Sequence, residues 1–157
     1  MLGWSEWARL PDLGVKKIRC KVDSGARTSA LHAFYVEEFT ENGINRVRFG
    51  LHPDQDSTDK ELHCVSDILE ERNVTDSGGH TEKRFVIVTP VIIGPYTWPI
   101  EITLTNRDTM RYRMLLGRSA ISGNFLIDSG MWLKRQGQFC NHGSCFSCAV
   151  ILAACRY

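Results

Sequence analysis

The stretch Lys17-Ile18-Arg19-Cys20-Lys21-Val22-Asp23-Ser24-Gly25-Ala26 decides how this chain is read. Ile18, Cys20 and Val22 alternate with Lys17, Arg19 and Lys21, the two-residue period of a half-buried strand. The strand ends on a carboxylate, and the next backbone positions carry little bulk. Asp23 thus sits on a tight turn, at a surface that a second copy of the chain could approach closely. Two carboxylates held about 3 Å apart cannot both ionise, so they share one proton and titrate as a unit. Such a pair can take a proton from water and give one to an amide carbonyl, with no metal and no covalent intermediate.

Outward from this stretch the chain reads as mainly β. Val47, Phe49 and Leu51 alternate with Arg46, Arg48 and Gly50. Phe85–Val88 and Val91–Ile93 form a nearly continuous apolar run that stops at Gly94-Pro95, a turn signal. Trp98, Ile100, Ile102 and Leu104 alternate with Pro99, Glu101 and Thr103, so a hairpin is expected around Gly94-Pro95. Pro99 is expected at a strand start or on an edge. Helical signal is scarce: one turn is expected over Ser66–Glu71 and another over Arg118–Ser122, stopped by Gly123-Asn124. His52–Lys60 reads as a solvated loop, and Thr75–Thr81 as a glycine-rich tip between two strands. Many short strands with turns between them predict a small closed or sandwiched β domain.

Composition limits the function classes. The chain has 157 residues and a formal net charge of +1. That length suits one domain with a real core, and that charge creates no general field for nucleic acid or an anionic membrane. No segment approaches the roughly 20 apolar residues of a membrane span. Met1–Leu10 lacks a basic segment followed by an apolar run, so no secretory signal is read and the expected compartment is the cytosol. Cys20 and Cys64 stand in apolar contexts and read as buried thiols.

Asp-Ser-Gly occurs at Asp23, Asp76 and Asp128. Alone it is ordinary turn chemistry, because Asp caps its own turn and Gly accepts positive φ. Asp23 differs by its flanks. A second element, Met114-Leu115-Leu116-Gly117-Arg118 followed by Ser119-Ala120-Ile121, reads as a strand ending on glycine and then a short helix. It could form an apolar floor under a nearby loop, or simply be a core strand.

Taken together and in this order, these elements resemble the retropepsin-like aspartic proteases. Asp23-Ser24-Gly25-Ala26 is similar to their Asp-Thr/Ser-Gly-Ala active-site motif, and Leu115-Leu116-Gly117-Arg118 to their later aliphatic-aliphatic-Gly motif. The match is closer to a bacterial and archaeal branch labelled ATP-dependent zinc protease. It is carried by Gly3-Trp4-x-Glu6-Trp7, Leu10-Pro11-x-Leu13-Gly14, Lys21–Ala33, Glu101–Asp108 and Met114–Arg118. The resemblance implies a single-domain closed β-barrel with one or two short helices over residues 1–135. It makes Asp23 the catalytic aspartate, with Ser24 bracing the paired loops, and Gly25 and Ala26 admitting partner and substrate.

In the retropepsins that this chain resembles, each of two copies supplies one aspartate, so the resemblance implies a homodimer. Asp128 is the intramolecular rival, although no second set of lobe strands surrounds it. The resemblance also implies a peptidase acting on peptide or glutamyl amide bonds, since some relatives are encoded near ligases that add glutamate tails to proteins. An acidic substrate would suit Arg27 and Arg118 beside the two motifs, with Lys83, Arg84 and Arg107 as further cations. Gly78 and Gly79, in the Ser77–His80 tip, are assigned to a flap over the cleft. His32 could face the cleft or be structural.

The zinc label finds no His-Glu-x-x-His, and no phosphate-binding Gly-Lys loop accompanies the ATP label. No metal or cofactor is assigned. Residues 136–157 depart from the family pattern. They hold Cys140, Cys145, Cys148 and Cys155, with His142 between the first two. Such ligands can hold zinc, and a terminal extension with free thiols is the plainer reading. Two other functions stay open: a non-catalytic module that binds acidic peptides on the same fold, and a zinc-binding protein built on the tail.

Overall fold

The computed structural model describes residues 1–54, 57–76, 78–106 and 111–132. The cysteine-rich tail, Ser77 and Arg107 lie outside the described residues. The elements run β1 (Leu2–Leu10), a 3-10 turn (Pro11–Leu13), β2 (Val15–Asp23), β3 (Ser29–His32), β4 (Tyr35–Glu41), β5 (Ile44–Leu51) and β6 (Leu62–Asp67). They continue with β7 (Glu70–Thr75), β8 (Thr81–Ile93), β9 (Tyr96–Thr105), β10 (Met114–Gly117), α1 (Arg118–Ile121) and β11 (Ile127–Trp132).

Six strands close into a barrel in the order β1-β2-β10-β3-β9-β8, with β8 returning to β1 at Arg9–Ile92. Closure removes the free edges that an open sheet would present. β11 and β7 extend the sheet on either side, and β4-β5-β6 form a separate three-stranded sheet. The closed β-barrel, with one short α-helix and one 3-10 turn among the described residues, is the architecture the resemblance implies.

The core follows the same alternation. Ile18, Cys20 and Val22 of β2 are buried, as are Val47, Phe49 and Leu51 of β5 and Ile100, Ile102 and Leu104 of β9. They join Leu10, Leu31, Ile87, Met114 and Leu116 in one cluster. The small sheet is tied to the barrel by the Cys64 thiol, which donates to the Leu13 carbonyl at 3.3 Å.

The expected hairpin pairs β8 with β9 from Val86–Thr103 to Ile93–Tyr96. Gly94 has φ +57°. Of the two-residue turns that match strand twist, only the one with positive φ at its first residue and negative φ at its second accepts proline second. Pro99 is not at the strand start. It lies inside β9 opposite Pro90. Neither proline can donate, so the two must meet at a position where backbone N–H groups would point away from each other. On the far side β3 covers β9 only from Ile102 to Thr105, which leaves Pro99 without a neighbouring acceptor there.

The helical turn expected over Ser66–Glu71 is not formed. Leu62–Asp67 pairs with β5, and Glu70–Thr75 pairs with β8. Cross-strand bonding outweighs the local pattern: Arg46 Nε donates to Asp67 at 2.8 Å, and the Leu69 amide donates to the Val86 carbonyl at 2.8 Å. The turn expected after Gly117 is α1. Its Ala120 carbonyl accepts the Trp98 indole N–H at 2.9 Å, which fixes the helix against β9.

Candidate active site

Parallel pairing of β10 with β2 sets Gly117 beside Asp23 and Leu116 beside Val22. The other edge of β10 pairs antiparallel with β3, through Met114–Leu31 and Leu115–Ala30. β10 therefore lies between the strand that enters the Asp23 loop and the strand that leaves it. The loop, residues 24–28, must arch over the end of β10.

Backbone contacts hold that arch. The Arg118 amide donates to the Ala26 carbonyl at 2.9 Å, and the Ser119 amide to the Arg27 carbonyl at 3.0 Å. The Gly117 amide donates to the buried Ser29 Oγ at 3.0 Å. A Cβ on Gly117 would lie 2.5 Å from the Thr28 carbonyl carbon, so glycine is needed for the loop to rest there. The Thr103 hydroxyl donates to the Ser29 carbonyl at 3.0 Å, linking the same segment to β9. Gly117 at the end of β10 and the first residues of α1 thus support the loop through backbone contacts.

Asp23 is half-buried. Its Oδ1 accepts the Gly25 amide at 3.0 Å and the Ala26 amide at 3.3 Å, which orients the carboxylate on its own turn. Asp76 and Asp128 make the same bond to the amide two residues on, each at 2.9 Å. At Asp128 the tripeptide lies within β11, whereas the Asp23 copy turns out of β2 and is held by backbone bonds from Arg118 and Ser119. Asp128 lies across β1 from this site, paired with Gly3. β2 lies on the other side of β1. Two strand spacings amount to roughly 10 Å, too far for a shared proton.

Ser24, Gly25 and Arg27 are exposed on the loop, and Ala26 is half-buried. Arg118 is exposed at the start of α1. The loop–helix bonds bring Arg27 and Arg118 to the same end of the barrel as Asp23, and no ion pair engages either among the described residues. Two other candidate cations are already engaged. Lys83 pairs with Glu71, and the buried Arg84 donates to Glu82 at 2.8 Å. His32 is buried in β3.

Gly78 and Gly79 lie at the tip of the β7–β8 hairpin, where Asp76 Oδ1 accepts the Gly78 and His80 amides. The same hairpin meets the Asp23 loop through a residue that sequence reading missed. Arg72 of β7 donates to the Thr28 hydroxyl at 3.0 Å and to Glu101 of β9 at 2.9 Å. It also pairs with Glu70. The Glu101 bond is the largest cause holding the Arg72 guanidinium above its usual basicity. Glu101 lies on β9 and Thr28 in the loop before β3, so no local pattern could announce these two contacts.

The buried thiols are chemically quiet. Burial, and then the nearby Glu6 charge, push Cys20 up to about 12. Burial pushes Cys64 up to about 11. Among the described residues no group of three or more His, Cys, Asp or Glu could hold a metal ion, and no helix is long and apolar enough to cross a membrane.

Comparison with known proteins agrees with this architecture. A crystal structure of Lpg0085 from Legionella pneumophila, a protein of unknown function, superposes with a TM-score of 0.69. The two are 26% identical, over 84% of this chain and 95% of that one. A Shewanella halifaxensis protein named "Probable alpha-L-glutamate ligase" is 47% identical over 128 residues. A Parasynechococcus marenigrum protein of the same name is 45% identical over 128 residues. In both cases the match takes up 82% of this chain and 28% of the relative, so the chain spans under a third of the length of these relatives. The family model described as retropepsin-like aspartic endopeptidase RimB matches residues 1–135. The chain therefore belongs to the RimB-like family of retropepsin-like aspartic endopeptidases, the relationship that its Asp23 and Gly117 motifs announce.

Proposed function

We propose that this chain is an aspartic peptidase that works as a homodimer, with Asp23 of each copy forming the catalytic pair. The observation that carries the reading is the support of the Asp23 loop. Backbone bonds from Gly117, Arg118 and Ser119 fix it, while Ser24 and Gly25 at its crest stay exposed for a partner and a substrate. One carboxylate of the pair takes a proton from water as the water oxygen attacks the amide carbon. The other gives its proton to the carbonyl oxygen. The C–N bond then breaks, and the amine leaves with a proton returned from the pair. Ser24, Gly25 and Ala26 line the approach, Arg27 and Arg118 meet substrate carboxylates, and Gly78 and Gly79 cover the cleft.

The substrate in this reading is a peptide or glutamate-tailed protein in the cytosol, and the bond cut is a peptide or glutamyl amide. The names of the relatives support it, since a glutamate ligase makes the bonds such an enzyme would remove. The same comparison favours one alternative. In those relatives the matching region is a minor part of a longer protein named as a ligase, a place suited to a non-catalytic module that holds acidic tails.

Cleavage of a poly-glutamate-tailed peptide by wild type and Asp23→Asn, with chelator present and at acidic and neutral pH, separates the two. The peptidase reading requires hydrolysis that survives the chelator and vanishes in Asp23→Asn. Binding without hydrolysis in both proteins, weakened by Arg27→Ala, would refute it in favour of the binding module.

A further inference from the structure

On the barrel face that carries Asp23 lies a recess of about 290 Å³ lined by Trp4, Lys21, Arg111, Tyr112 and Leu115. Its base is built by register, because Lys21 of β2 pairs with Leu115 of β10 on one side and Ser5 of β1 on the other. Tyr112 packs edge-on against Trp4, with ring centroids 6.2 Å apart. The Arg19 guanidinium lies over the Tyr112 ring, 5.3 Å from its centre. Arg19, Lys21 and Asp23 alternate along β2, so all three point to one side of the sheet. Three cations thus gather round an aromatic wall, and among the described residues no carboxylate lines the recess. Neither Lys21 nor Arg111 has an ion-pair partner among the described residues.

We propose that this recess is a specificity pocket for a carboxylate side chain, taking the Glu or Asp that flanks the bond to be cut. The assignment of the flanking position rests on the peptidase reading; the pocket itself does not. Lys21 stands two residues from Asp23, roughly 7 Å along the strand. An extended peptide advances by about half that distance per residue. A substrate whose carbonyl meets Asp23 therefore brings a neighbouring side chain to the recess. The volume sits at the small end of ligand pockets, enough for one side chain and too little for a large cofactor. Trp4 and Leu115 pack against its methylenes, while Lys21 and Arg111 close on the carboxylate. A neutral amide of the same shape would forfeit the charge-assisted bonds.

The test is calorimetric binding of tetraglutamate and tetraglutamine to full-length Asp23→Asn protein, alone and combined with Lys21→Met, Arg111→Gln or Lys21→Glu. Tetraglutamate is expected to bind in preference to tetraglutamine. Each neutralising substitution should weaken tetraglutamate by roughly tenfold or more and flatten its salt dependence. Lys21→Glu should transfer preference to tetralysine, a gain that misfolding cannot produce. Equal affinity for the two peptides, no binding of tetraglutamate, or no effect of either neutralising substitution would overturn the pocket. Selective binding that depends on Lys21 and Arg111, in a protein whose wild type hydrolyses nothing, would keep the pocket and remove the peptidase.

Discussion

Replacing Gly117 by alanine tests the support of the Asp23 loop at its tightest point. The added Cβ would stand 2.5 Å from the Thr28 carbonyl carbon, 2.7 Å from its oxygen and 2.8 Å from the Ser29 nitrogen. All three are backbone atoms, so no side chain can rotate away, and the loop must lift from β10. Overpacking of this kind costs about 1–3 kcal/mol. The displacement also threatens the Gly117 amide bond to the buried Ser29 hydroxyl, worth about 1 kcal/mol. The sum is about 2–4 kcal/mol, or a fall in Tm of roughly 10 °C for a domain of this size. On the peptidase reading, a shift of about 1 Å in Asp23 would further reduce peptide hydrolysis by roughly 100-fold. Urea unfolding gives the stability, and initial rates at saturating peptide give the turnover. Ser29→Ala separates the two effects, because it removes the bond without the clash and should cost about 1–2 kcal/mol. A Gly117→Ala protein within about 0.5 kcal/mol of wild type, with unchanged turnover, would refute the claim that the loop rests on this glycine.

Further outcomes follow from the buried thiols and the Arg72 bridge. Cys20 and Cys64 titrate near 12 and 11 when folded, against an ordinary value of 9.0. Thiolate is the reactive form, so site-resolved mass spectrometry should find neither labelled at neutral pH until the protein unfolds. Rapid labelling of either in the folded state would contradict the burial. The folded thiols bind protons more tightly than unfolded ones, so their contribution to stability is complete below pH 9 and is lost as pH rises through 11 to 12. Denaturant midpoints across that range should fall. Arg72→Ala removes the link from the hairpin to Thr28 and Glu101. The arginine is only 28% exposed, and its partner Glu101 is 43% exposed. Solvent screening therefore holds the loss to about 1 kcal/mol. Arg72→Lys should recover little of it, because one ammonium cannot hold both partners in the same geometry; full recovery in thermal unfolding would argue against the bridge.

Local patterns were enough to find β2, β5, β8, β9 and β10 and the buried faces of β2, β5 and β9. Ile18, Cys20 and Val22 announce β2, and Gly94-Pro95 announces the hairpin, because each signal lies within a few consecutive residues. Ser66–Glu71 misled, since its short pattern fits a helical turn as well as two strand ends. The pairings with β5 and β8 that decided it come from distant sequence. Lys21 could have been flagged beside Asp23, two positions away on one face of a strand. Arg111 and Tyr112 could not, because only the placement of β10 next to β2 brings them to Lys21.

By itself, the sequence determined a small, mainly β domain and a strand that ends on Asp23 in a glycine-rich turn. Its two motifs also placed the chain in its family. These are properties of short windows, where side-chain period and turn chemistry act locally. Tertiary structure alone decided that β10 lies between the two strands flanking that turn, that Gly117 meets the Thr28 backbone, and that Arg72 reaches Thr28. It also decided that Lys21, Arg111 and two aromatic rings share one recess. Those contacts join residues dozens of positions apart, and they exist only once barrel closure has fixed the register of every strand.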